Sequence, residues 1–208
     1  MSKPLFIAFE GIDGSGKSTQ VSLLASHLTE LGHRVYCTAE PTKRPVGKMI
    51  REIFAGKQEA DHKVIAALFA ADRLDHLLNS EDGIVKKLEE GFTVLCDRYY
   101  LSSYAYHSVH MPMDWVIEAN RFAAEILKPH LHIFINAEPE TCMERIRRNR
   151  ETTELYETLG NLKQVREKYM EAIMAIRERE PIELVNSGET PEATALSVRA
   201  ALSAHGLL

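Results

Sequence analysis

The run Phe9-Glu10-Gly11-Ile12-Asp13-Gly14-Ser15-Gly16-Lys17-Ser18-Thr19 constrains everything around it. It follows a short apolar segment, Leu5 to Phe9, and leads into an amphipathic one, Gln20 to Leu31. Gly11, Gly16, Lys17 and Ser18 fit G-x-x-x-x-G-K-[ST] in the strand–turn–helix context that this motif requires. Its glycines let the backbone curl until several N–H groups face one anion, and the helix starting near Lys17 adds its partial positive N-terminus. Lys17, expected on an exposed loop without core packing, should reach the β/γ-phosphates of a nucleotide, and the Ser18 hydroxyl should hold Mg²⁺. Gly11, Asp13, Gly14, Ser15, Gly16, Lys17, Ser18 and Thr19 thus read as a nucleotide-phosphate site.

The rest of the chain supplies the sheet that such a loop needs. Strands are expected at about 5–9, 34–38, 93–96, 131–135 and 182–185, with helices between them, which specifies a doubly wound five-stranded parallel sheet with helices on both faces. The phosphate site then lies at the carboxyl ends of the strands. Helical spacing predicts helices over Val46–Phe54, Asp61–Leu78 (with Val64, Leu68, Ala71 and Leu78 on one face), Ile84–Glu89, Trp115–Leu127, Leu162–Arg179 and Pro191–Ala204. At 208 residues the chain reads as one domain, residues 1–208. A net charge of −5 argues against a nucleic-acid or acidic-membrane partner. There is no apolar run of about 18 residues and no room for a signal peptide before the first strand, so a cytoplasmic protein is expected. Cys37, Cys96 and Cys142 read as small buried hydrophobes. His130 and His132, and likewise His107 and His110 in a loop, read as structural pairs.

Two further features carry chemistry. The third strand ends in Asp97-Arg98-Tyr99, placing a carboxylate across the crevice from the phosphate loop, where an acid that organises Mg²⁺ belongs. Pro139 opens a helix running into Arg145-Ile146-Arg147-Arg148-Asn149-Arg150. Four like charges so close repel unless an anion neutralises them. At about 100° per residue Arg147 and Arg150 share a face, ahead of the polar run Glu151-Thr152-Thr153-Glu154.

Taken with Glu40-Pro41, Phe69-Ala70-Ala71-Asp72-Arg73 and Asp97-Arg98-Tyr99…Ser102-Ser103…Ala105-Tyr106, the phosphate loop makes the chain resemble the thymidylate kinases, P-loop nucleoside monophosphate kinases, over nearly its whole length. The resemblance implies a three-layer P-loop kinase fold and a homodimer that moves the γ-phosphoryl of ATP onto dTMP with Mg²⁺. It implies that Asp13 approaches the sugar 3′-hydroxyl, that Phe69 stacks on thymine, and that Arg73 and Arg98 hold the acceptor's phosphate and base side. Tyr106 lies against the sugar, Arg51 adds a contact to the acceptor phosphate, and Glu40, Pro41, Ser102 and Ser103 complete the substrate site. Residues of about 145–158 form a lid. Lys17, Arg98, Arg147 and Arg150 are the implied catalytic cations, and Ser18 and Asp97 the metal ligands.

The sequence departs from that pattern in places. Some members carry an arginine where this chain has Gly14, so the catalytic arginine is expected from the lid. Glu154 is followed by Leu155 instead of arginine, His107 stands where glutamine often follows the Ala-Tyr pair, Leu101 precedes Ser-Ser, and Pro129-His130 opens the fourth strand. A deoxynucleoside or other small-molecule kinase, and a nucleotide-dependent switch, are the competing readings.

Overall fold

Five consecutive buried residues, Phe6–Glu10, form β1, the centre of the molecule. In the computed structural model, which describes residues 3–149 and 155–208, β1 is followed by α1 (Lys17–Glu30), β2 (Val35–Ala39), α2 (Pro45–Phe54), α3 (His62–Leu78) and α4 (Ile84–Glu89). Then come β3 (Thr93–Asp97), α5 (Tyr100–His107), α6 (Met113–Ala119), α7 (Arg121–Ile126), β4 (Leu131–Asn136), α8 (Pro139–Asn149), α9 (Leu159–Ile176), β5 (Ile182–Asn186) and α10 (Pro191–Ala204). The strands run parallel in the order β2-β3-β1-β4-β5. Strand ends lie within about one residue of those expected from the sequence, the usual uncertainty of such boundaries.

Alternation along the strands divides the core. Phe6, Ala8, Val94, Cys96 and Phe134 face one side, with Tyr104, Leu162 and Tyr169. Ile7, Phe9, Leu95, Ile133 and Ile135 face the other, with Leu24 and Leu28 of α1 and Val198 and Leu202 of α10. Burying a side chain of this size stabilises by about 1.5–3 kcal/mol. β1 contributes to both layers at once, which is why its continuous apolar run marks the middle of a parallel sheet. Asp97 pairs in register with Phe9, so the chain leaves β1 and β3 at the same end of the sheet. Among the described residues no helix is long and apolar enough to cross a membrane.

Several local expectations are corrected. The stretch expected as one helix from Trp115 to Leu127 is two, broken at Asn120. Asn120 stands at the break: its Nδ2 donates to the Val116 carbonyl, and its Oδ1 accepts from the buried Arg73. The long C-terminal-half helix begins at Leu159 and ends at Ile176. On α3 the buried residues are Ile65, Ala66, Asp72, Arg73, His76 and Leu77, while Val64, Ala71 and Leu78 face outward. The inner face mixes apolar residues (Ile65, Ala66, Leu77) with a hydrogen-bonded polar group (Asp72, Arg73, His76), so the expected apolar stripe does not mark the core. Cys96 and Cys142 are buried, but Cys37 is exposed on the edge strand β2. His107 ends α5 and is buried there. His130 Nδ1 accepts from the Phe6 N–H, and His132 Nε2 lies 3.1 Å from Glu180, while His132 Nδ1 has no partner.

Candidate active site

The loop between β1 and α1 lies against a cleft of about 860 Å³ that reaches from the loop to α5 and to Tyr156 and Glu157, ahead of α9. Two glycines explain its shape. Gly11 has φ 141° and Gly14 φ 77°, and a Cβ at Gly14 would stand 2.5 Å from the Cys142 carbonyl oxygen of α8. An arginine at position 14 would therefore require α8 to move. Lys17 is buried and not on an exposed loop: it is the first residue of α1, and its Nζ donates to the Ile12 carbonyl at 3.0 Å. Burial, then the nearby Arg98, lowers its pKa, against the pull of Asp97, Asp13 and Glu10.

Ser18 Oγ donates to Asp97 Oδ2 at 2.5 Å. The other oxygen, Asp97 Oδ1, is buried without a partner. A hydroxyl beside a half-engaged carboxylate at the mouth of a phosphate loop suits Mg²⁺, which is usually held by one or two carboxylates together with phosphate oxygens and water.

Arg98 organises the junction between donor and acceptor sides. Its φ of 75° is unusual for a residue with a side chain, and sites of this kind concentrate such strain. The guanidinium donates to Asp13 Oδ1 at 2.5 Å, to the Gly11 carbonyl at 3.1 Å, and to the hydroxyls of Ser102 and Tyr106 at 3.2 Å each. Tyr106 Oη in turn donates to Asp13 Oδ2 and accepts from the Asp13 N–H. Burial pushes the Asp13 carboxyl up, but the charges of Arg98 and Lys17 outweigh it and hold its pKa below the ordinary value.

Arg73 borders the cleft, as expected, with its guanidinium turned to the protein. It is 1 % exposed, and its Nε and Nη2 meet Glu40, Nη1 meets Ser103 and Asn120, and Nη2 also meets the Tyr99 carbonyl. Five N–H donors are all a guanidinium has. Arg73 therefore braces the cleft wall instead of offering a free fork to a phosphate. Glu40 also meets His76, and Asp72 accepts from the Thr42 N–H and hydroxyl. Arg51 caps the carbonyls of Pro41 and Thr42. Phe69 is half-buried, tilted against Phe54 and His107. Glu40, Pro41, Arg51, Phe69, Arg73, Arg98, Ser102, Ser103 and Tyr106 all border the cleft.

The arginine helix turns differently from the helical-face argument. Cys142, Met143 and Ile146 face the core, so Arg145 flanks the cleft, 3.4 Å from the carbonyls of Gly14 and Ser15 and from Ser187 Oγ. Arg147 and Arg148 are exposed, and Arg150 lies outside the described residues.

Two residues of the site carry no role in the sequence reading. Glu10 is fully buried, accepting from the Tyr99 N–H and from the hydroxyls of Ser102 and Tyr169, and burial raises its pKa despite these bonds. Tyr169, from α9, also reaches the Gly11 carbonyl. A charged residue inside an otherwise apolar strand was the available signal for Glu10. Nothing local marks Tyr169.

Comparison with known proteins places this geometry. The family model for thymidylate kinase matches residues 9–189. A probable thymidylate kinase of Methanocaldococcus jannaschii is 40 % identical over 168 residues, 80 % of each chain. One from Thermococcus kodakarensis is 36 % identical over 196 residues, covering 89 % of this chain and 92 % of the other. One from Pyrobaculum aerophilum is 38 % identical over 194 residues, 93 % of each. With a phosphate loop, an acid at the end of β3 and an arginine- and aromatic-lined cleft between them, matched along most of its length, the chain belongs to the thymidylate kinase family.

Proposed function

We propose that this enzyme transfers the γ-phosphoryl group of ATP to dTMP, giving dTDP and ADP. The observation that carries the reading is the continuity of one cleft from Lys17 and Ser18 to Phe69 and Tyr106, so that donor and acceptor can meet end to end. Phosphoryl transfer needs alignment and charge neutralisation more than covalent help. Lys17 sits where the transferring phosphoryl would lie. Arg98 holds Asp13 and Tyr106 in one hydrogen-bonded unit against the acceptor sugar, and Arg73, fully engaged by the protein, keeps Glu40 and Ser103 in place behind the base. Ser18 and Asp97 would hold Mg²⁺, which supplies charge neutralisation at the phosphate oxygens when bound. Arg51 and Arg98, both on the cleft, are the groups assigned to an acceptor phosphate, with the arginine helix as the source of the remaining positive charge.

Coupled ADP release with a panel of nucleosides and nucleoside monophosphates tests the reading, with dTMP expected to be the preferred acceptor. Phe69→Ala should raise KM for dTMP about tenfold or more while KM for ATP stays nearly constant, because base–aromatic stacking contributes about 1–3 kcal/mol. A loss confined to ATP would place Phe69 on the donor side and remove the acceptor assignment. A nucleoside as preferred acceptor would favour the deoxynucleoside kinase reading.

We also propose a homodimer. Val64 and Leu78 on α3 are 50 % and 60 % exposed, and Met49, Trp115, Phe122 and Ile126 are exposed on helices α2, α6 and α7, which pack around α3. Clusters of this kind on a soluble surface mark association faces. Replacing Val64 and Leu78 together by glutamate should halve the mass measured by sedimentation equilibrium. A wild-type protein already monomeric at micromolar concentration would refute the dimer.

A further inference from the structure

Two histidines that phosphoryl transfer does not use lie face to face beside the acceptor side. His62 opens α3 and His110 follows α5, and their ring centroids are 3.5 Å apart with planes 3° from parallel. Tyr156 joins them, its centroid 5.9 Å from His62 and 5.8 Å from His110. The Tyr156 hydroxyl lies 3.1 Å from His62 Nδ1. Its ring also packs edge-on against Phe54 at 5.3 Å, lies 6.1 Å from Tyr106, and borders the cleft.

Tyr156 is fastened at both ends. Its carbonyl accepts from the Thr158 N–H and from Asn161 Nδ2 at the start of α9, and its hydroxyl meets α3. Burial raises the phenol pKa to about 12, so the hydroxyl keeps its proton at neutral pH and is available to donate to the ring nitrogen 3.1 Å away. A buried hydroxyl without a partner would carry its desolvation penalty uncompensated. The direction in which the ring stands is therefore set by where His62 stands, and the stack with His110 fixes His62.

We propose that His62, backed by His110, is a positioning residue for the acceptor: through its bond to Tyr156 it holds that ring as a wall of the cleft beside Phe54 and Tyr106. The inference rests on the phosphotransfer reading above. Because His62 acts through Tyr156, losing the imidazole and losing the hydroxyl are one loss, and their effects do not multiply.

A double-mutant cycle tests this. His62→Phe keeps a flat ring on His110 but removes the acceptor nitrogen, and Tyr156→Phe keeps the wall but removes the hydroxyl. Each should raise KM for dTMP about three- to tenfold, the range of one modest hydrogen bond. The double variant should be no worse than either single one, and kcat and KM for ATP should stay within about twofold throughout. His62→Gln, whose amide oxygen can accept the same bond, should recover most of the affinity. Multiplied effects in the double variant, an unchanged KM for dTMP in both singles, or an equal rise in KM for ATP would each overturn the proposal. Thermal melting checks that every variant is folded, and if His62→Phe does not fold, His62→Leu, which also removes the ring nitrogen, takes its place in the cycle. Absent dTMP turnover in the wild type would count against the proposed function alone, since calorimetric binding of dTMP still reads the positioning effect.

Discussion

Lys17→Ala is expected to lower kcat by at least about two to three orders of magnitude, the scale of losing one preorganised charge partner of a transition state. The ammonium occupies the mouth of the phosphate loop, with Ile12, Asp13 and Asp97 around it, and no other lysine borders the cleft among the described residues. Stability should be retained, for a reason the sequence did not suggest. Burial lowers the folded-state pKa of Lys17 below the ordinary lysine value. The sign follows: a base with a depressed folded pKa costs stability at every pH below that value, and the cost disappears only above its unfolded pKa. Below that value the charged Lys17 is therefore a burden on the fold, and its removal should leave the melting temperature unchanged or raised. Lys17→Met, which fills more of the vacated space, separates a packing defect from the loss of charge. Turnover near the wild-type rate in both variants would remove the phosphate-loop assignment.

The second large effect is expected in the arginine helix. Position 14 supplies no charge, and the 2.5 Å approach of Cys142 to a Cβ there leaves no space for one. Arg73 has all its donors taken within the protein, and Arg44, from the loop after Pro41, is paired with Asp75 at 2.6 Å and with Asp82 at 3.1 Å. An arginine that stabilises phosphoryl transfer contributes about 10³–10⁵ in kcat. We predict a loss on that scale for one of the single alanine variants of Arg145, Arg147, Arg148 and Arg150, with a smaller change in dTMP affinity. Arg145 reaches the loop, 3.4 Å from the Gly14 and Ser15 carbonyls, so its alanine variant should also raise KM for ATP. Lysine at the responsible position should rescue only partly, because the planar fork is lost. If all four variants keep more than about a tenth of wild-type kcat, far above that range, the charge belongs to Arg98 or Lys43 instead.

The sequence alone determined what depends on short-range chemistry. The glycine-lysine-serine loop, the apolar strands that need cover on both faces, and Asp97 at a strand end are each legible because local backbone geometry and a run of a few residues decide them. The sheet followed, since parallel strands joined by helices admit few arrangements. Tertiary structure decided what depends on partners distant in the chain. That Glu40, Tyr99, Ser103 and Asn120 take all the donors of Arg73 appears only in the fold. The inner face of α3 could not be found from its apolar stripe, because half of what is buried there is polar, Asp72, Arg73 and His76, held by hydrogen bonds to distant residues. Glu10 reaches Tyr169 across 159 residues, and His62 reaches Tyr156 across 94. A polar group may be buried only where its partner is supplied, and which residue supplies it is settled by the packing of whole elements.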